Sequence, residues 1–222
     1  SRAGAEIGAN LMQGLAFGIT GLAATVVNAM NDAMGDVKVE AAEQAGLTPI
    51  KVNAVVVRGY NEPDVADLAK LTIQHPWQVR FIEMMPFAGA TDIQTTQLVT
   101  AAEIKECIMA ACGPMELING GKLDGEAILY RFPDALGDVG FISSVTSPFC
   151  ASCTRARLTA DGRLRLCLLR EGEVDLLTPL RAGATLDELR GLILDGIWEK
   201  PWGHQLADGV IPLNRTMSEI GG

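Results

Sequence analysis

The order of strand and helix signals between residues 50 and 85 restricts the fold more than any other feature. IKVNAVVV (50–57) is a β-branched run, PDVADLAKLTIQ (63–74) has helical spacing with a proline at its start, and QVRFIEMM (78–85) is a second strand. Strand, helix and strand within 36 residues predict a βαβ unit. Such units build parallel sheets whose ligands bind at the carboxyl ends of the strands. We therefore predict an α/β fold with a site near Met85.

The sequence pattern changes after this unit. A long loop (86–99) leads to a helix that begins at Thr100, where Glu103 completes a capping box. Two short strands follow, at 127–132 and 139–145, and then a cysteine-rich stretch at 148–169. A second helix begins at Thr185, where Glu188 completes another capping box. We divide the chain into an unassigned Gly/Ala-rich leader, an α/β part and a C-terminal α+β region: 1–36, 37–112 and 113–222.

Composition excludes some classes of function. With 222 residues, 48% of them hydrophobic, the chain can bury a sizeable core. Its net charge of -9 argues against a general nucleic-acid or anionic-membrane binder. Its five cysteines are unevenly spaced and do not indicate a disulfide framework. We expect a cytoplasmic protein whose clustered thiols bind a metal or serve catalysis.

Residues Leu11 to Met30 carry no charge and reach the minimum length of a membrane span. Internal glycines and polar residues dilute their hydrophobicity, and Arg2 alone is a poor signal-peptide n-region. We therefore expect a packed or frayed segment here rather than a membrane span.

The stretch PFCASCTRARLTADGRLRLCLL (148–169) holds Cys150, Cys153 and Cys167 in a C-x2-C-x13-C arrangement. Thiolates select zinc or iron–sulfur clusters, and three of them are one short of a closed four-ligand site. Zinc with His204 as a fourth ligand and unligated core cysteines remain alternatives. We assign the other two cysteines, Cys107 and Cys112, to the core face of a helix.

Residues 155–168 alternate polar and apolar side chains on either side of ADG, which predicts a β-hairpin. A three-residue loop at 160–162, with Gly162 left-handed, places Arg157 opposite Arg165. One face then holds Cys153, Arg155, Arg157, Arg163, Arg165 and Cys167, and the other directs Leu158, Leu164, Leu166 and Leu168 to the core. Like charges opposite each other are unfavourable unless an anion lies between them. The hypothesis is a phosphorylated ligand that also touches the metal; the alternative is a solvated strand face.

The stretch GDVGFISSVTSPFCASCTRARLTADGRLRLCLL resembles a known family, as do PIKVNAVVVRGYNEPDV and VRFIEMMP before it and KPWGHQL and MSEIGG after it. From about residue 37 to 222, the chain is similar to the C-terminal part of the molybdenum cofactor biosynthesis protein A family, the radical S-adenosylmethionine GTP 3',8-cyclases. The resemblance implies an incomplete TIM barrel of the radical S-adenosylmethionine type. It also implies that a C-terminal α+β region closes the barrel and carries a second 4Fe-4S cluster, one iron of which meets the guanine of GTP.

The resemblance also implies roles for individual residues. Cys150, Cys153 and Cys167 would bind the cluster. GTP would be held by Arg155, Ala156 and Arg157, with Lys51 as a further contact. Met85 would line the S-adenosylmethionine pocket, and the terminal Gly221 and Gly222 would reach the catalytic centre. From the residues alone, Lys51 indicates a solvated strand start and Met85 a core position.

The chain departs from the family pattern at one important point. The family's N-terminal C-x3-C-x2-C, which binds the cluster that cleaves S-adenosylmethionine, is absent, since no cysteine precedes Cys107. We therefore expect this chain alone to generate no radical. The expected reaction belongs to the complete enzyme, a lyase that converts GTP to 3',8-cyclo-7,8-dihydro-GTP in the first step of molybdopterin biosynthesis. Expected partners are GTP, a second copy in a homodimer, and the downstream cyclic pyranopterin monophosphate synthase. The alternative is a non-catalytic zinc- or cluster-stabilised binding module.

Overall fold

A computed structural model describes residues 45–86, 96–216 and 219–220. They form two compact units. The first contains the described residues up to Met84 together with Gln97–Thr146, and the second contains mainly the residues from Ser147 onward. The Gly/Ala-rich leader lies outside the described residues.

The first unit is built on a five-stranded sheet in the order β1-β2-β5-β4-β3. Its strands are β1 (Lys51–Val56), β2 (Gln78–Glu83), β3 (Glu116–Leu117), β4 (Ile128–Arg131) and β5 (Asp138–Ile142). Strands β1, β2 and β5 are parallel, whereas β4 and β3 join antiparallel. Helix α1 (Val65–Gln74) connects β1 to β2. The predicted βαβ unit is therefore confirmed, and the fold is mixed α/β with a sheet that contains parallel strands.

Alternate strand residues and two helices form the core of the first unit. Helix α2 (Ala101–Cys112) begins with the predicted capping box. The Thr100 side chain accepts a hydrogen bond from the N–H of Glu103, and the Glu103 side chain accepts one from the N–H of Thr100. The core side chains come from both helices and from the three parallel strands: Val52, Leu68, Leu71, Val79, Phe81, Ile104, Ile108, Val139 and Phe141. Each such side chain contributes about 1.5–3 kcal/mol through burial. The core thus aligns the carboxyl ends of β1, β2 and β5.

The prediction that Cys107 and Cys112 both face the core is wrong for Cys107, which is exposed. Residues five apart on an α-helix are separated by about 140° around its axis, so one face cannot hold both. Cys112 is half-buried, and its Sγ donates to the carbonyl of Ala66 at 3.7 Å.

A buried carboxylate organises the carboxyl end of β2. Glu83 is fully buried and accepts hydrogen bonds from the backbone N–H groups of Ala101 (2.9 Å), Val145 (2.8 Å) and Thr146 (2.9 Å). The Thr146 hydroxyl also donates to it. One side chain therefore joins the end of β2 to the first turn of α2 and to the segment after β5.

We expect Glu83→Gln to lower the free energy of unfolding of the first unit by about 3 kcal/mol, because hydrogen bonds to a charged group contribute about 1.5–3 kcal/mol each. The amide NH2 of glutamine would also point at N–H donors. Urea unfolding followed by Trp77 fluorescence measures this, since Trp77 is 2% exposed whereas Trp198 and Trp202 are each 88% exposed. Glu106→Gln, at an exposed position of α2, is the control. Equal losses in both variants would contradict the role of the carboxylate.

The second unit contains a three-stranded antiparallel sheet in the order β6-β7-β8. The strands are β6 (Arg157–Leu158), β7 (Arg163–Arg165) and β8 (Glu173–Asp175), followed by helices α3 (Leu177–Arg181) and α4 (Leu186–Trp198). Helix α4 begins with the predicted capping box of Thr185 and Glu188. No helix in the described part of the chain is long and apolar enough to cross a bilayer.

The compact units differ from the domains expected from the sequence. The change of pattern near residue 113 lies inside the first unit, because β3, β4 and β5 hydrogen-bond into the same sheet as β1 and β2. Pairing of Gln78 with Asp138 makes this sheet continuous.

Candidate functional site

Two of the three predicted metal ligands lie at a tight turn. Cys150–Ser152 forms a 3-10 turn, and the N–H of Cys153 donates to the carbonyl of Cys150 at 3.1 Å. The third, Cys167, lies two residues beyond the end of β7. All three thiols are free and half-buried within the second unit. Partial exposure of this kind is typical of thiols that react or bind metal, whereas buried structural thiols are inert.

The environment of Cys153 favours its thiolate. Burial raises the pKa of this thiol, but hydrogen bonds from the backbone N–H and side chain of Arg155, with the positive charges of Lys200 and Arg155, outweigh burial. The net result is a pKa below the ordinary cysteine value. Since the thiolate is the form that binds metal, the arrangement suits a metal ligand.

The donor chemistry fits an iron–sulfur cluster or zinc, because three free thiols share one compact unit. Across residues 45–86, 96–216 and 219–220, however, no three side chains of His, Cys, Asp or Glu converge closely enough to hold a metal ion. The alternative fourth ligand, His204, accepts a hydrogen bond at Nδ1 from the N–H of Leu206 at 3.3 Å. That nitrogen is thus occupied by a local backbone contact.

The predicted hairpin register is confirmed. Arg157 pairs with Arg165 and Leu158 with Leu164 across β6 and β7. Gly162 ends the three-residue loop with φ +73°, and a Cβ there would lie 2.6 Å from the Cβ of Leu177. Both the left-handed backbone and the close contact require glycine at this position.

The predicted exposure of the two hairpin faces is wrong in part. Arg165, expected on a ligand-binding face, is only 1% exposed, whereas Leu158, expected in the core, is 65% exposed. The reason is β8, in which Glu173 pairs with Arg165 across the strands and accepts from its Nη1 at 3.0 Å. Two acidic residues two positions apart, Glu173 and Asp175, have the same spacing as Arg163 and Arg165 in the sequence. This shared spacing is the sequence signal that could have revealed the pairing.

Further ion pairs extend from Glu173. Arg215 donates to Glu173 Oε2 and to Asp161 Oδ2, both at 2.8 Å. Arg163 lies 3.7 Å from carboxylate oxygens of Asp161 and Asp175. For Arg163 and Arg165, the counter-charge that the sequence hypothesis assigned to a bound anion is therefore supplied by carboxylates of the protein.

The remaining arginines of the stretch lie nearer the cysteine turn. The Arg155 guanidinium lies 5.1 Å from the centroid of the Phe149 ring, a cation–π contact. Arg155 and Ala156 are exposed, and Arg157 is half-buried at the start of β6. This segment directly follows Cys153, so a ligand bound to it would lie beside that thiol.

Cys167 also lines a cleft of about 280 Å³ together with Arg170, Glu171, Glu173 and Glu199. Its lining carries three carboxylates and one guanidinium. This charge balance disfavours a triphosphate in the cleft itself.

Lys51 and Met85 lie in different units. Lys51, exposed at the start of β1, donates from Nζ to Asp124 Oδ2 at 3.1 Å, and this hydrogen bond is the main cause that lowers the pKa of Asp124. Arg80, which the sequence did not single out, donates to the same oxygen at 2.7 Å. Met85 is half-buried and packs against the Leu169 and Ile220 cluster. Gly221 and Gly222 lie outside the described residues.

The fold and site define a class: a mixed α/β protein with a thiol-bearing turn beside an arginine hairpin. The family model of Molybdenum Cofactor Synthesis C matches residues 77–206. The chain belongs to this family, as the resemblance predicted.

Similar proteins support the same assignment. The GTP 3',8-cyclase of Pelotomaculum thermopropionicum is 44% identical over 184 residues, which cover 83% of this chain and 56% of that protein. Those of Peptoclostridium acidaminophilum and Moorella thermoacetica are 38% and 41% identical over 184 residues, 83% of this chain and 54% and 56% of those proteins. The chain thus spans a little more than half the length of these curated relatives.

We expect Asp161→Asn to reduce the acid sensitivity of the second unit. A hydrogen bond from Arg215, then one from Thr159, lowers the pKa of Asp161 to about 2 from 3.8. A carboxyl with a depressed pKa in the folded state stabilises the protein above its unfolded pKa and loses that contribution as pH falls from about 4 to about 2. Unfolding free energies at stepped pH should therefore fall less steeply in the variant over this interval. Identical slopes would show that the Arg215 contact contributes nothing to stability.

Proposed function

We propose that this chain is the C-terminal part of a GTP 3',8-cyclase, in which it holds a 4Fe-4S cluster and places GTP beside it. One observation carries the proposal. Three free thiols and the Arg155–Arg157 segment lie in one compact unit of a chain that is 38–44% identical to proteins named GTP 3',8-cyclase.

The cluster ligands are Cys150, Cys153 and Cys167. In a 4Fe-4S cluster held by these three thiolates, one iron would lack a protein ligand and would offer a Lewis-acidic position to the guanine base. The lowered pKa of Cys153 supports this role.

GTP is held by Arg155, Ala156 and Arg157 through charge-assisted hydrogen bonds to the triphosphate and through backbone contacts. Lys51 is a further GTP contact. Because Arg80 shares Asp124 with Lys51, a phosphate group that approaches this pair would meet two cations and one carboxylate.

The remaining roles concern the complete enzyme. Met85 lines the S-adenosylmethionine pocket, and Gly221 and Gly222 reach the catalytic centre. The reaction converts GTP to 3',8-cyclo-7,8-dihydro-GTP, the first step of molybdopterin biosynthesis, with S-adenosylmethionine as the radical source. The protein acts in the cytoplasm, as a homodimer, and passes its product towards cyclic pyranopterin monophosphate synthase.

At the level of architecture, the parallel strands β1 and β2 belong to an incomplete TIM barrel of the radical S-adenosylmethionine type, and β5, from the region that follows, pairs with β2. We retain 37–112 as the last βα units of this barrel and 113–222 as the region that binds the cluster and GTP. The parallel pairing of β1 and β2 supports the barrel.

A second candidate is a non-catalytic module stabilised by zinc or a cluster. The pairing of Arg163 and Arg165 with carboxylates of the protein favours it, because these arginines then serve structure rather than a ligand. Metal content separates the two functions.

We expect Cys167→Ser to lose most of its iron and sulfide after anaerobic reconstitution, whereas Cys107→Ser keeps the wild-type content. Cys107 is an exposed thiol in the first unit, so it controls for the loss of one cysteine. Wild-type protein should hold about four irons per chain for a 4Fe-4S cluster. One zinc per chain would support the second candidate, and equal iron loss in both variants would mean that the ligands are wrongly assigned.

We expect Arg155→Ala and Arg157→Ala each to weaken GTP binding roughly 10- to 100-fold, since each removes charge-assisted hydrogen bonds of about 1.5–3 kcal/mol. Calorimetry on anaerobic protein measures this, with Arg181→Ala at an exposed position of α3 as the matched control. Iron content should not change, because neither arginine is a metal ligand. Unchanged affinity in both variants, with wild-type binding intact, would remove the triphosphate role.

A further inference from the structure

One lysine joins the two chain segments that carry the cysteines. The Lys200 Nζ donates to the carbonyl of Arg155 and to the carbonyl of Leu166, each at 2.5 Å. Arg155 lies two residues after Cys153, and Leu166 directly precedes Cys167. A single ammonium group therefore links these two segments just beyond the paired residues of β6 and β7.

The backbone of Lys200 is itself held in place. Its N–H donates to the carbonyl of Ile197 at 3.2 Å, in the last turn of α4. Helix α4 packs closely on β8, because a Cβ on Gly196 would lie 2.7 Å from Val174 Cγ2. Lys200 thus reaches the cysteine segments from a position just after the end of α4, which is anchored to the same sheet as the hairpin.

The residues after Lys200 follow the cysteine turn. A Cβ on Gly203 would lie 3.5 Å from the Sγ of Cys150. The segment 200–203 therefore approaches all three cysteine positions: Cys150 through Gly203, and the neighbours of Cys153 and Cys167 through Lys200.

We propose that Lys200 is a positioning residue of the thiol site, which holds the Cys150–Cys153 turn beside Cys167 and would place a positive charge next to a metal cluster bound there. The chemistry explains why lysine serves here. An ammonium presents several donors on one nitrogen and can bond two carbonyls at once, whereas guanidinium donors are spread over a planar fork. The proposal deepens the proposed function and rests on it for the identity of the metal group.

The charge of Lys200 has a separate consequence. Net charge and hydrogen bonding near an iron–sulfur cluster set its reduction potential. Because reduction adds negative charge, a nearby ammonium stabilises the reduced cluster. Its removal should lower the potential, an effect that a lysine with only a structural role would not produce.

The test compares Lys200→Met and Lys200→Arg with wild type and with Arg190→Met, which removes a positive charge from an exposed position of α4. On the reconstituted protein, loss of iron to a chelator and the midpoint potential are measured. We expect Lys200→Met to lose iron about tenfold faster or more, as is typical when a ligand-orienting contact is removed, and to show a lower potential. Lys200→Arg should restore the potential but not iron retention, and Arg190→Met should match wild type.

A metal-free measurement keeps the two proposals separate. With Cys107, Cys112 and Cys150 replaced by serine, a short bifunctional thiol reagent can join Cys153 to Cys167, and Lys200→Met should slow this cross-link severalfold. If wild type holds no iron–sulfur cluster, the proposed function fails, while the cross-linking rate still decides whether Lys200 positions the thiols. Unchanged cross-linking and unchanged iron retention in Lys200→Met would overturn the positioning role.

Discussion

The buried ion pair between Arg165 and Glu173 decides how the second unit is arranged. The Arg165 side chain is fully buried and its partner nearly so. A buried charge without a partner costs several kcal/mol, so the hairpin can turn this face inward only because β8 supplies the carboxylate. Arg215 then satisfies the other oxygen of Glu173. The direction of every neighbouring hairpin side chain follows from this pairing.

This pairing divides the arginines of the cysteine stretch into two groups. Arg163 and Arg165 neutralise carboxylates of the protein and hold the sheet together. Arg155 and Arg157 lie towards the thiol-bearing turn, where Arg155 also favours the thiolate of Cys153. A dense run of positive charge in an acidic chain therefore serves both structure and, in the proposed function, substrate binding. Counting charges along the sequence could not separate these two uses.

Each unit uses a polar side chain to join separate backbone segments. In the first unit Glu83 gathers N–H donors from the start of α2 and from the segment after β5. In the second unit Lys200 gathers carbonyls from the two segments that flank the thiols. The carboxylate collects donors and the ammonium collects acceptors, so these contacts determine where chain segments of distant sequence position meet.

Local features of the fold were predictable from the sequence because neighbouring residues determine them. The βαβ order depends on strand and helix periodicity, the capping boxes at Thr100 and Thr185 depend on residues three apart, and the hairpin register depends on Gly162. The family was likewise recognisable from its motifs. Only the tertiary structure decided what is exposed and what is paired. The burial of Arg165 depends on Glu173 in the next strand, and the contacts of Lys200 join it to residues 45 and 34 positions away. Packing and charge neutralisation select these contacts. For Arg165 the sequence holds a signal, the acidic residues Glu173 and Asp175, but that signal lies outside the hairpin itself.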